Sequence, residues 1–188
     1  MAKNFRSLSD VELVSMLSGN KADASEAFRV LYDRYSSIVH AYCVRVTGDE
    51  DKADDIFQDT FIKFYQKVQP DIENTNIPGF LMKIARNLCL NAKRDKKNTI
   101  DIDEVDYYVS TGTNYEQKEL LDLITRSLDL LEDDYREAFV LREYSGLSYE
   151  EIAEVTGISL GNAKSRVFRA KQKIKSILNP YLKDISMK

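Results

Sequence analysis

Residues 147–178, LSYEEIAEVTGISLGNAKSRVFRAKQKIKSIL, leave the chain little choice of local fold. Ser148 followed by Glu151 is a capping box, which satisfies free amides at a helix start. Ile152, Ala153 and Val155 give the short helix behind it an apolar side. Gly157 follows, the residue type best suited to a left-handed backbone just past a helix end. Ser159 can cap the next helix, in which Leu160, Ala163, Val167, Ala170, Ile174 and Leu178 recur at spacings of three and four and so share one buried face. Its other faces carry Lys164, Arg166, Arg169, Lys171, Lys173 and Lys175, with no acid among them. A short helix, a three- or four-residue turn and a basic second helix form the helix-turn-helix arrangement that reads a DNA major groove. A basic helix face by itself is ordinarily a solvated surface. The capping box, the turn glycine and the acid-free second helix together direct this one to DNA.

The rest of the chain is helical in pattern as well. Of its 188 residues, 43% are hydrophobic, enough for one or two small domains with real cores. Glycine and proline are scarce and alternating β-branched runs are nearly missing, which predicts an all-α protein. Residues 9–17 read as a short helix opened by a second capping box, Ser9 with Glu12. Residues 22–46 form a long helix with Phe28, Leu31, Tyr32, Tyr35, Ile38, Val39 and Tyr42 on its inner face, ended by Gly48. In the next helix, 49–67, the inner side holds Ala53, Ile56, Phe57, Thr60, Phe61 and Phe64. A loop over 68–77 leads to Pro78, which opens a helix running to about residue 97 and burying Phe80, Leu81, Ile84 and Leu88, with Cys89 at the margin. Residues 98–114 are acidic, then small and polar, and read as a linker. Helix resumes over 115–131 and 133–144. The expectation is two small helical domains, 1–97 and 115–188, joined by a flexible acidic linker.

Charge separates along the chain, although the net value is only −4. Lys83, Arg86, Lys93, Arg94, Lys96 and Lys97 cluster on one helix, and Asp49, Glu50, Asp51, Asp54, Asp55 and Asp59 on another. The basic parts suit phosphate, and the acidic parts suit a basic protein surface. Acids at a helix start also complement its dipole, but that explanation stops short of Asp55 and Asp59, which either meet a partner or are solvated.

Other functions find little support. Cys43 and Cys89 are too few for a disulfide framework and read as buried, reduced thiols. His40 is the sole histidine, so neither a metal nor another cofactor is expected. No nucleophile–base pair or phosphate-binding glycine loop stands out, which argues against an enzyme. The polar N-terminus and the lack of a long apolar run predict a cytoplasmic protein without signal peptide or membrane insertion.

Three segments in order resemble the extracytoplasmic-function sigma factors, the smallest members of the sigma-70 family. DEDKADDIFQDTFIKFYQK is similar to the family's polymerase-binding helix, IPGFLMKIARNLCLNAKRDKK to the segment after it, and YREAFVLREYSGLSYEEIAEVTGISLGNAKSRVFRAKQKI to the C-terminal domain. The resemblance implies a factor that directs core RNA polymerase to promoters and assists melting in transcription initiation. It implies that Asp55, Gln58 and Asp59 face the largest polymerase subunits. A flipped minus-ten base would enter the loop carrying Asn74 and Asn76, with Arg86, Asn87, Asn91 and Arg94 engaging the same element. Asn162, Ser165, Arg166 and Arg169 would read the minus-thirty-five element, while Lys164, Lys171 and Lys173 hold phosphates. A separate anti-sigma factor would supply control. The sequence departs from the family's pattern at Phe80, where tryptophan is common, at Asn91, where aspartate is usual, and at Ala163, where valine is more frequent. The competing readings are a free-standing helix-turn-helix regulator binding a palindrome as a dimer, and a helical adaptor whose basic helices bind protein.

Overall fold

Six helices begin where a short polar side chain takes up a free backbone amide, and the helix behind Glu132 begins without such a cap. In the computed structural model, which describes residues 4–68, 76–97 and 123–185, every regular element is helical. After a short turn of 3-10 helix at Phe5–Ser7, helix α1 (Asp10–Met16) starts at the Ser9–Glu12 capping box, with both reciprocal bonds made. The Asn20 side-chain oxygen accepts the Asp23 amide at 3.0 Å and opens α2 (Lys21–Thr47), which Gly48 ends at φ 67°. Asp49 caps α3 (Glu50–Lys67) through the Lys52 amide at 3.0 Å. Asn76 opens α4 (Ile77–Lys97) through the Gly79 amide, also at 3.0 Å.

The chain divides into two compact units, Met1–Asp101 and Ile102–Lys188. In the first, α2, α3 and α4 pack pairwise and α1 lies on α2. Their interior is built from fully buried side chains, among them Leu31, Tyr42, Phe64, Leu81, Met82 and Cys89. Burying one such side chain contributes about 1.5–3 kcal/mol, against about 1 kcal/mol for a cap, so the apolar faces decide the packing and the caps decide where each helix starts. Arg34 secures the N-terminal segment to α2. Its guanidinium donates to the Asp10 carboxylate at 2.5 Å and to the Leu8 and Arg6 carbonyls at 2.6 and 3.0 Å. The Tyr35 hydroxyl donates to the same carboxylate.

The second unit holds a helix over residues 123–129 (α5), then α6 (Asp133–Glu143), α7 (Tyr149–Thr156) and α8 (Leu160–Ile185). Leu128, Leu131, Ala170, Ile174 and Leu178 form its core with Tyr135 and Phe139 against them. Two arginines serve as staples here. Arg136 donates to the carbonyls of Leu128, Asp129 and Leu131 at 2.9, 2.9 and 3.2 Å, closing the end of α5. Arg142 donates to the Leu147 carbonyl at 2.7 Å and lies over the Tyr149 ring at 4.7 Å.

Some inner-face expectations need correction. Tyr32 is exposed and Phe28 half-buried, because both sit on the outer seam between α2 and α3 while Ala24, Ala27, Val30 and Cys43 fill the interior. Leu160 is 37% exposed, since the first turn of α8 runs out ahead of the helices that cover Ala163 and Val167. The expected linker over 98–114, and the helix start expected at 115, lie outside the described residues.

Candidate nucleic-acid and protein interfaces

The helix-turn-helix forms as its sequence dictates. The Ser148 amide donates to Glu151 at 2.5 Å and the Glu151 amide to Ser148 Oγ at 3.1 Å, which fixes the start of α7. Gly157 takes φ 73°, and the Ala153 carbonyl accepts both the Gly157 and the Ile158 amides, at 2.9 and 3.1 Å. Ser159 Oγ then accepts the Asn162 amide at 3.3 Å. The chain therefore turns within three residues, 157–159, and α7 and α8 pack through Ile152, Val155, Ala163 and Val167.

The residues nominated on α8 divide between two flanks. Asn162, Ser165, Arg166 and Arg169 surround a polar cleft of about 300 Å³ whose other wall is Glu132, Asp134 and Tyr135 at the start of α6. Arg166 Nη2 lies 2.6 Å from the Asp134 carboxylate, and Arg169 donates to the Tyr135 hydroxyl at 3.3 Å. Lys173 reaches Glu132 at 2.7 Å and lies over the Tyr135 ring at 4.8 Å. On the opposite flank Lys164 sits 5.9 Å from the Tyr149 ring centroid, and Lys171 pairs with Glu143 at 2.8 Å. Although α8 carries no acid through this stretch, α6 supplies acids to its basic side chains, a juxtaposition that helical periodicity does not reveal. Sequence reasoning also passed over Phe168. This ring is 61% exposed on a helix that buries Ala163, Val167, Ala170, Ile174 and Leu178, and it lies between Arg166 and Arg169 in sequence. A Phe that falls off the apolar stripe of a basic helix was the available signal.

In the first unit, Asp55, Gln58 and Asp59 are exposed at one-turn spacing on α3. Among the described residues, Asp55 and Asp59 have no hydrogen bond or ion pair, whereas the neighbouring Asp54 meets His40 Nε2 at 2.8 Å. Gln58 lies at the rim of an open groove of about 840 Å³ between α2 and α3, walled by Phe28, Tyr32, Phe61 and Tyr65. The rings interlock, with Tyr32 and Phe61 centroids 4.8 Å apart and Phe28 and Tyr65 at 5.4 Å. Their aromatic character was legible in the sequence, but the exposure of Tyr32 and Tyr65 was not.

Helix α4 turns a polar face outward. Lys83, Asn87, Asn91 and Arg94 are exposed, Arg86 is half-buried, and Arg94 donates to the Asn91 side-chain oxygen at 3.2 Å. Leu90 is exposed within this face. Asn76 proves to be the cap of α4, so its side-chain oxygen is engaged with the Gly79 amide. Asn74 lies outside the described residues. Among the described residues no group of three or more His, Cys, Asp or Glu side chains could hold a metal ion, and no helix is long and apolar enough to cross a membrane.

These features define an all-helical protein with a basic helix-turn-helix in its second unit. Comparison with known proteins gives the family. The model of sigma-70 region 2 matches residues 31–99, and that of sigma-70 region 4 matches residues 121–174. The ECF RNA polymerase sigma-E factor of Salmonella typhimurium is 30% identical over 172 residues, covering 84% of this chain and 90% of that protein. The sigma factor EcfG of Rhodopseudomonas palustris is 30% identical over 142 residues, 74% of this chain and 78% of the relative. SigM of Bacillus subtilis is 29% identical over 159 residues, 82% and 96% of the two chains. Among solved structures, the sigma factor RpoE of Bartonella quintana, crystallised with the anti-sigma factor NepR, matches with a TM-score of 0.71 at 26% identity, over 82% of this chain and 98% of that one. CnrH, solved with the cytosolic domain of CnrY, shares the fold, with a TM-score of 0.66 at 23% identity over 91% and 97% of the chains. The chain belongs to the extracytoplasmic-function RNA polymerase sigma factors of the sigma-70 family and acts in transcription initiation. The alternative of a free-standing regulator is not favoured.

Proposed function

We propose that the first unit binds core RNA polymerase through α3 and the minus-ten element through α4, while α8 of the second unit reads the minus-thirty-five element. One observation carries the reading: charge is segregated within the first unit. Asp55 and Asp59 project from α3 without partners among the described residues, while Lys83, Asn87, Asn91 and Arg94 line the exposed face of α4. An acidic face beside an aromatic groove suits a basic protein surface with apolar projections. A basic, amide-rich face suits phosphates and base edges.

Asp55, Gln58 and Asp59 are the polymerase contacts in this reading, with the groove rim adjoining them. Arg86, Asn87, Asn91 and Arg94 engage the minus-ten element, together with Asn74 and Asn76. On α8, Asn162, Ser165, Arg166 and Arg169 read bases, and Lys164, Lys171 and Lys173 hold phosphates. Phe168 adds an exposed apolar surface suited to a thymine methyl. The domain limits are 1–97 and 115–188, and the 98–114 linker sets the allowed promoter spacer. Melting comes from capture of unstacked bases, so the chain itself catalyses no reaction. It works in the cytoplasm, on the nucleoid when held by polymerase. By similarity to RpoE, crystallised with NepR, a separate anti-sigma factor restrains it.

The test is transcription from a promoter library by the purified chain with core polymerase. Initiation that depends on core, at sites sharing two spaced motifs, is the expected result. Arg169→Ala should weaken recognition of the upstream motif by roughly 1–3 kcal/mol. Tight binding to a palindrome without polymerase overturns the reading.

A further inference from the structure

We infer that Asp134 is a positioning residue for upstream-element recognition: it aims Arg166 at a base edge and keeps backbone phosphate out of the cleft beside it. The inference rests on the reading of α8 given above. The Asp134 carboxylate lies 2.6 Å from Arg166 Nη2, and the arginine side chain is only 26% exposed against 62% for the aspartate. Arg166 is thus held along the wall of the cleft while its restraining acid faces solvent. Pairs this exposed add little to stability, so folding gives no strong reason for the arrangement.

The same wall treats the whole flank alike. Glu132 pairs with Lys173 at 2.7 Å, and the Tyr135 hydroxyl accepts from Arg169 at 3.3 Å. Arg166 and Arg169 therefore face two carboxylates and a phenol around one small polar space. A phosphate entering that space meets two negative charges, which offsets most of its attraction to the cations. A guanine edge is neutral and pays no such penalty. The contact with Asp134 engages Nη2, and a guanidinium has five N–H donors, so Arg166 keeps donors for O6 and N7. Phosphate contacts then fall outside the cleft, to Lys164, Lys171 and Lys173, none of which lines it.

The test uses the full-length chain assembled with core polymerase and compares wild type, Asp134→Asn and Asp134→Glu. Promoter DNA with an intact or scrambled upstream element is bound across a salt series, and thermal unfolding confirms that each variant is folded. Removing the carboxylate frees Arg166 for a phosphate. Asp134→Asn should therefore bind scrambled DNA more tightly, steepen the salt slope by about 0.9, and reduce the preference for the intact element by roughly fivefold. Asp134→Glu should restore slope and preference toward wild type. A purely structural aspartate would lower stability and leave the slope unchanged. Arg166→Ala and Arg169→Ala serve as controls. If they abolish element preference while Asp134→Asn alters neither slope nor preference, the positioning role is overturned and the reading of α8 stands. If neither control affects element preference, the reading of α8 fails and the positioning role fails with it.

Discussion

Asn76 and Gly79 fit each other at the entrance to α4. The Asn76 side-chain oxygen accepts the Gly79 amide at 3.0 Å, and a β-carbon at position 79 would lie 2.8 Å from the Asn76 side-chain nitrogen. Glycine is therefore used here for space and not for backbone freedom. Asn76→Ala should cost about 1 kcal/mol, the value of a lost cap. Gly79→Ala should displace the asparagine and cost a similar amount. Because both act on one contact, the double variant should lose less than the sum in urea denaturation.

Arg136 is the corresponding point in the second unit. Its guanidinium serves three carbonyls at the end of α5, which the neighbouring helices cover. Arg136→Ala should destabilise this unit by about 2 kcal/mol, and Arg136→Lys should recover only part of that, since an ammonium does not reproduce the planar fork. Equilibrium unfolding of the isolated residue exchange provides the measurement, with the first unit's transition as internal reference.

The two thiols are predicted to be inert in the folded protein. Cys43 and Cys89 are free and fully buried, and the Cys43 thiol is pushed up by its hydrogen bond with Cys89 and by burial. Reactive cysteines need access to solvent, and both of these are buried. Iodoacetamide labelling followed by mass spectrometry should modify neither residue natively, and should proceed in denaturant at the rate of unfolding.

Alkaline pH should loosen the N-terminal segment. Burial, followed by the hydrogen bond to Asp10, raises the Tyr35 phenol above its ordinary value. The native state then holds this proton more tightly than the unfolded chain does. Its contribution is complete below the unfolded value of about 10 and is lost as pH rises through the folded value. Unfolding free energy should fall with pH from there upward, less steeply in Tyr35→Phe, and a phenolate absorbance titration should show one late tyrosine that the variant lacks.

For polymerase binding, Asp55→Asn and Asp59→Asn should each weaken association with core by roughly fivefold at low ionic strength, with the difference shrinking as salt is added. Both side chains are exposed without partners among the described residues, so stability should change by less than about 0.5 kcal/mol. Fluorescence anisotropy of the labelled chain against core measures the first effect, and thermal unfolding the second.

Much of the fold is legible because it is local. The Ser9–Glu12 and Ser148–Glu151 boxes, the left-handed Gly48 and Gly157, and the apolar stripe of α8 are all set within a few residues of sequence. The candidate sites are legible to the same extent. Asp55 with Asp59, or Asn87 with Asn91, share a face because helix geometry requires it. Tyr32 and Leu160 were misplaced because periodicity reports which side of a helix is apolar, not how far a neighbouring helix extends to cover it.

The capping boxes, the glycine helix ends, the helix-turn-helix and the separation of acidic from basic segments are local, since each follows from neighbours along one chain. Only tertiary structure decided which distant groups share a surface. It put Asp134 on Arg166, Glu132 on Lys173 and Tyr35 on Asp10, and it left the aromatic seam between α2 and α3 open. Those relationships join residues far apart in the chain, through ion pairs and ring contacts a few ångströms long. They are fixed by how apolar faces pack, and no short-range pattern encodes that.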